Sequence, residues 1–431
     1  MNHNDRAITG LVMLAHAMVH IYEFVLPVFI PIWLVQFGTT EAIVGTAVGI
    51  GTALFGMGAP LAGVLTDRRG SKPLILASLL GMGVSFVLLG ASGAITGLVG
   101  LDQITAFGSQ LSAEILVVTI ALVVWGIAAS LYHPAGLSLI TRGVHERGTA
   151  FAYHGTAGNV GTAVGPLLAT ILLFFLSDAW HVVALILALP ALVGVAVALR
   201  IDVNEMAAVS PATDGGTSPE KTPGISSFSE FLTQSSALLV GAFLVVFCLM
   251  MLSGLYYRGI LTFLPAVLGE IDTITPVEFY GRTIEPSNYL YTGLLAAGVG
   301  GQYVGGKLTD RIRLEVGLAG GYGALVVLAL LFRPVVAIGL APLLVLLAVL
   351  GFCLFFVQPF YQAAVAKYTP ASLRGLSYGY TYLGVFGVGA LGTPLAGVAL
   401  TYFPPWALFV ILAGIAVVAS GLGLFLYRQN G

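Results

Sequence analysis

Charge is scarce in this sequence. Only 8% of its 431 residues are Asp, Glu, Lys or Arg, where a soluble domain carries roughly 25%. With 58% hydrophobic residues and a mean hydropathy of +0.99, a water-soluble fold is excluded, because so few charges cannot cover so much apolar side chain. The net charge of −2 leaves no basic excess for nucleic acid. Cysteine is nearly absent. Cys248 and Cys353 both lie in apolar stretches, which argues against a disulfide framework or a metal site. No Walker motif is present, so ATP does not drive the chain directly, and no haem-attachment pattern occurs. Neither cofactor nor metal is called for. The first apolar run is long, carries His16, His20 and Glu23, and lacks a small-residue cleavage site, so it reads as a membrane span rather than a leader.

What is abundant is apolar sequence in blocks. A spanning helix needs about 20 mostly apolar residues. Such runs begin near Ile8, Ala42, Pro73, Ile115, Thr149 and His181, and again near Ser236, Tyr289, Val316, Val335, Gly375 and Pro405. They predict an all-α integral membrane protein of twelve spans, with residues 1–200 and 236–431 as two six-helix bundles. Between them, residues 201–235 contain SPATDGGTSPEKTPG, the composition of a flexible linker. With both termini inside, fourteen of the seventeen Lys and Arg fall on the cytoplasmic side. That bias predicts a multi-pass protein of the cell membrane with cytoplasmic termini. Arg282 and Arg333 fall outside, and Arg258 falls within span 7.

The two halves repeat. Gly63 to Arg68 reads GVLTDR after span 2, and Gly306 to Arg311 reads GKLTDR after span 8. Span 5 opens with Arg147-Gly148 and contains Gly165-Pro166; span 11 opens with Arg374-Gly375 and contains Thr393-Pro394. Pro31 of span 1 matches Pro265 of span 7. Parallel six-helix repeats characterise one large transporter architecture.

At these residues the chain resembles the major facilitator superfamily. Gly63, Asp67, Arg68, Arg69, Gly70 and Lys72 match that family's loop between spans 2 and 3, and Gly306 to Arg313 stands where the family has a degenerate second copy. The resemblance implies alternating access by rocking halves. It implies gating roles for Gly63, Asp67, Arg68, Arg69, Lys72, Asp310, Arg311, Arg147 and Arg374. Physically, Gly63 permits close packing, Asp67 suits a helix N-terminus, and the basic residues can pair across the halves as a latch. A solvated positive-inside loop is the plainer account. A closer likeness is to the fosmidomycin-resistance-like efflux branch, carried by HIYEFVLPVFIP at 20–31, YHPAG at 132–136 and GNVG at 158–161. One departure stands out. Drug antiporters commonly carry an Arg in span 4, four residues before a Gly; here the Gly is Gly126 and the other position is Leu122.

Ionisable groups within a bilayer are costly and usually face a cavity or a partner. His16, His20 and Glu23 are spaced i, i+4, i+7, on one face of span 1, and are candidates for proton coupling; a structural hydrogen-bonded patch is the alternative. Aligning Pro31 with Pro265 sets Phe24 opposite Arg258 and Glu23 opposite Tyr257. Arg258 can therefore pair with Glu23, bind a carboxylate or phosphonate in bidentate fashion, or snorkel to an interface. His133, beside Pro134, and His154 are candidates for the cavity or for interhelical hydrogen bonds. Tyr257, Gln358, Tyr361, Gln362 and Tyr378 form an amphipathic set suited to an organic solute, although Tyr also populates interfacial belts. The resulting expectation is not an enzyme but a monomeric secondary transporter, exporting a small, anionic organic compound against protons. Proton-symport uptake of an organic acid or sugar is the alternative, and a membrane redox or haem protein a third.

Overall fold

The computed structural model describes residues 1–106, 108–209, 228–369 and 373–429. Each apolar run becomes one helix or a succession of abutting helical segments. Span 1 is α1 (His3–Gln36), span 2 α2 (Glu41–Arg69) and span 3 α3 (Ser71–Val99). Span 4 is split into α4 (Glu114–Ser130) and α5 (Tyr132–Gly143). Pro134 cannot donate to the Ser130 carbonyl, so the ladder is interrupted at this point. Span 5 is α6 (Arg147–Leu176) and span 6 α7 (Trp180–Arg200).

In the second half, α8 (Phe228–Leu238) precedes span 7, which is α9 (Gly241–Leu261) and α10 (Leu264–Gly269). Pro265 stands at the start of α10, whereas Pro27 and Pro31 lie inside an unbroken α1. Spans 8, 9 and 10 are α11 (Pro286–Leu308), α12 (Leu314–Ile338) and α13 (Leu340–Tyr368). Span 11 runs from α14 (Arg374–Tyr382) through a π-helical stretch (Leu383–Val388) and a 3-10 turn (Gly389–Leu391) into α15 (Gly392–Tyr402). Span 12 is α16 (Trp406–Gln429). Among the described residues eleven helices are long and apolar enough to cross a membrane. The twelfth, α11, has the length but is diluted by glycine, tyrosine and Gln302. Two small hairpins, β1–β2 (Gln103–Ala106, Ser109–Ser112) and β3–β4 (Val277–Phe279, Arg282–Ile284), follow spans 3 and 7 on the face opposite the termini.

Packing repeats between the halves. Spans 1 and 5, 2 and 4, and 3 and 6 pack together in the first half, as do 7 and 11, 8 and 10, and 9 and 12 in the second. The closest crossings are built from glycine in matching places. A Cβ on Gly126 would overlap the Gly51 carbonyl between spans 4 and 2, and one on Gly351 would overlap the Leu294 carbonyl between spans 10 and 8. Small residues permit such approach where lipid supplies no hydrophobic drive.

The halves meet along α2 and α15 and along α6 and α11. Bonds that join them on the face opposite the termini include Ala42 N–H to Thr401 Oγ1 (2.9 Å), Thr401 Oγ1 to Glu41 Oε2 (3.2 Å) and Arg282 Nη1 to the Phe174 carbonyl (3.1 Å). That face is sealed. The stretch after span 6 is not free: Glu205 accepts from the backbone N–H groups of Ser71 (2.7 Å) and Lys72 (2.8 Å) at the start of α3, and Asn204 N–H donates to Asn4 (2.8 Å). Lys221 and the rest of 210–227 lie outside the described residues.

Candidate functional site

A cavity of about 430 Å³ lies between the halves. It is lined by the termini-side parts of the helices, from Leu137 of α5 and Gly155 of α6 to Val365 of α13 and Thr381 of α14. One wall is imidazole and carboxylate: His16, His20, Glu23, His133 and His154. The facing wall is amide and phenol: Gln302, Gln358, Tyr361, Gln362, Tyr257 and Tyr382.

The imidazole wall follows from local sequence. The i, i+4, i+7 spacing stacks three polar groups up one face of α1. Gly158, Gly161 and Gly165 of α6 face α1 with no side chain between, so that His16 lies flat on His154 with ring centroids 3.8 Å apart. The break between α4 and α5 turns His133 inward, where its ring centroid is 5.2 Å from that of His16 and 5.3 Å from that of Tyr382. A hydrogen-bonded chain results. His16 Nδ1 meets the His154 carbonyl at 2.7 Å, His16 Nε2 lies 3.1 Å from His20 Nε2, and His20 Nδ1 lies 2.8 Å from Glu23 Oε2.

Glu23 Oε1 accepts from Arg258 Nη2 of α9, and the two form an ion pair between the halves. Both are buried, at 4% and 7% exposure. Arg258 therefore does not snorkel. Its guanidinium lies 5.7 Å from the Tyr257 ring and 5.4 Å from that of Phe386. On the sealed side of the pair is a void of about 20 Å³ beside Thr52, Trp125, Thr262 and Tyr291, so Glu23 and Arg258 close the blind end of the cavity.

Of the amide and phenol candidates, Tyr257, Gln358, Tyr361 and Gln362 line the cavity, and the side chain of Tyr378 lies outside the described residues. Tyr256 turns away, its hydroxyl 3.3 Å from the Leu325 carbonyl. Gln302 of α11 and Tyr382, from the tyrosine-rich opening of span 11, complete the walls, whereas Tyr291 of α11 lies beside the small void beyond the ion pair. Gln302, the one glutamine within α11, was the available signal, and its Oε1 is buried with no hydrogen-bond partner. Leu122 is fully buried, its carbonyl against Gly51.

The loop residues are placed differently from expectation. Gly63 and Gly306 have open space where a Cβ would be, so neither packs against a neighbour here. Asp67 does not reach the N-terminus of α3, which Glu205 occupies; it is exposed and 3.6 Å from Arg142 of its own half. Lys72 Nζ donates to the Ile201 carbonyl (2.6 Å), also within the first half. Arg68, Arg69, Asp310 and Arg311 are exposed, and Arg147 reaches the Ala208 carbonyl (3.4 Å). The cross-half latch is thus not assembled by these residues in this conformation: the partners of Asp67, Lys72 and Arg147 all lie within the first half. The side chain of Arg374 lies outside the described residues.

Twelve spans in two matching bundles around a central polar cavity define a secondary-transporter fold. The Major Facilitator Superfamily profile matches residues 12–392, and the chain belongs to that family. Similar solved structures include a bacterial homologue of the human lysosomal transporter Spinster, inward-facing and unoccupied (TM-score 0.66, 15% identity, 98% of each chain covered). Others are a point mutant of the nucleoside transporter NupG (0.71, 12%, 97% of this chain and 99% of that one), and a bacterial homologue of the human drug peptide transporters PepT1 and PepT2 (0.70, 15%, 99% and 100%). No curated protein matches the sequence.

Proposed function

We propose that this protein is a proton-coupled transporter of a small organic anion, with Glu23 as the proton site and Arg258 as the anion site. The observation that carries this is the buried Glu23–Arg258 pair at the blind end of the cavity. When Glu23 takes a proton, Arg258 loses its carboxylate and is left as an unpaired buried cation, a costly state that an anionic solute relieves. A solute anion likewise displaces Glu23 from Arg258 and raises its proton affinity. Proton and anion therefore favour each other's binding, and by linkage the coupling is reciprocal. That is the logic of symport, so the geometry favours proton-driven uptake of an organic acid over the export expected from the efflux-branch likeness. A similar structure, that of a POT family transporter in complex with 5-aminolevulinic acid, supports the reading, since that solute carries a carboxylate.

Export by antiport is the second reading. It requires a solute that competes with the proton at Glu23, hence a cationic one. The Tyr and Gln wall opposite holds the uncharged part of either solute. Residues 1–200 and 236–431 act as the two rocking bodies. The cavity opens to the cytoplasm of a cell membrane, in line with the distribution of Lys and Arg.

Proteoliposomes with an imposed proton gradient test this against a panel of anionic and cationic compounds. An anion should accumulate with the proton gradient, and Glu23→Gln should abolish that drive while solute exchange persists. Undiminished proton-driven accumulation in Glu23→Gln would reject Glu23 as the coupling site.

A further inference from the structure

The hydrogen bonds of the imidazole wall determine its tautomers. His16 Nδ1 faces a backbone carbonyl, which can only accept, so this nitrogen carries the hydrogen. His20 Nδ1 faces Glu23 Oε2, the carboxylate that also accepts from Arg258, so it too carries the hydrogen. In the neutral rings both Nε2 atoms are then bare lone pairs. They point at each other across 3.1 Å. Two acceptors at that distance repel unless a cation lies between or beside them. A third imidazole stands ready: His133 Nδ1 is buried with no hydrogen-bond partner, and one nitrogen from each of His16, His20 and His133 lies within 4.8 Å of the others.

We propose that His16, His20 and His133 form a three-imidazole site for a divalent transition-metal ion of the Zn²⁺, Co²⁺ and Ni²⁺ class. Neutral imidazole suits these ions. Two nitrogens about 2.05 Å from a tetrahedral ion stand about 3.4 Å apart, close to the 3.1 Å between His16 and His20; a turn of the His133 ring brings in the third. The outer hydrogen bonds have the pattern of metal-bound histidine, in which the distal N–H is held by a carboxylate or a backbone carbonyl. Glu23 and the His154 carbonyl serve these roles. The fourth position faces the cavity, where an anionic oxygen donor offsets the ion's charge beside Arg258.

The experiment is equilibrium binding of Zn²⁺ to the chelator-washed, full-length protein in detergent. It is read without a proton gradient or organic solute, so its failure is separable from that of the transport scheme. One ion per chain is expected, with affinity lowered tenfold or more in His20→Gln and His133→Gln and unchanged in His145→Gln, whose ring is more than half exposed on a loop. X-ray absorption of the Zn²⁺-loaded wild type should show three imidazoles, a readout that needs no variant to fold. Absence of stoichiometric binding, a spectrum with one imidazole or none, or binding lost only in His145→Gln would overturn the site. In that event a shared proton would occupy the gap between His16 and His20.

Discussion

Replacing Glu23 by Gln changes few atoms but leaves a guanidinium buried at 7% exposure without its counter-ion. Arg258 has two aromatic faces nearby, Tyr257 and Phe386, at 5.7 and 5.4 Å, which recover little of the lost pairing. Removing one partner of a buried ion pair costs about 3–5 kcal/mol, whereas replacing both by apolar groups of similar volume is often neutral or stabilising. At about 1.4 kcal/mol per factor of ten, Glu23→Gln should shift the balance against this conformation by roughly a hundredfold to a few thousandfold. It should do so by unfolding or by favouring a state in which Arg258 meets water. Glu23→Gln with Arg258→Met should restore most of that loss. The assay is a double-mutant cycle of thermal unfolding in detergent, combined with labelling of single cysteines placed on the sealed face. The single variant should melt lowest and expose that face most; the double variant should resemble wild type in both. If Glu23→Gln melted with wild type, or the double variant were no better than the single, the pair would not be the element that holds this state.

Three further outcomes follow from the same geometry. A Cβ on Gly397 of α15 would overlap the Glu41 carbonyl of α2 on the sealed face, so Gly397→Ala should wedge the halves and raise cysteine labelling there; unchanged labelling would show that the face yields without opening. Asp67 is exposed with a single ion-pair contact at 3.6 Å, so Asp67→Asn should leave the melting temperature unaltered while slowing transport, if its partners form only in the opposite conformation; an unchanged rate would make the loop dispensable. Glu285, just before α11, has its pKa raised by burial and by the negative charge of Asp178, whose own pKa burial raises. A raised carboxyl pKa contributes stability below the usual carboxylate range that is lost as pH rises through the raised value. Acid should therefore favour the sealed face, and Glu285→Gln should flatten that pH dependence in the labelling assay.

How much was legible varied from residue to residue. The spacing of His16, His20 and Glu23 is intrinsic to a helix, so their common face could be read directly. The pseudo-repeat set Arg258 at the depth of Glu23 because aligned prolines index equivalent turns. His133 and His154 could be named but not placed. Their positions depend on a helix break at Pro134 and on glycines in α6 that let two backbones touch, and a break angle or a crossing distance is not written in local pattern. Gln302 escaped notice because a single glutamine in a glycine-rich span carries no periodic signal.

Hydropathy, charge bias and the GVLTDR/GKLTDR repeat by themselves determined a twelve-span protein in two halves, since each depends only on residue type and position along the chain. Only the tertiary structure decided which face is sealed, that Glu205 rather than Asp67 meets the start of α3, and that three imidazole nitrogens converge beside an ion pair. These depend on how two rigid bundles are docked and on side chains distant in sequence, and the free energies that separate such arrangements are small and non-local.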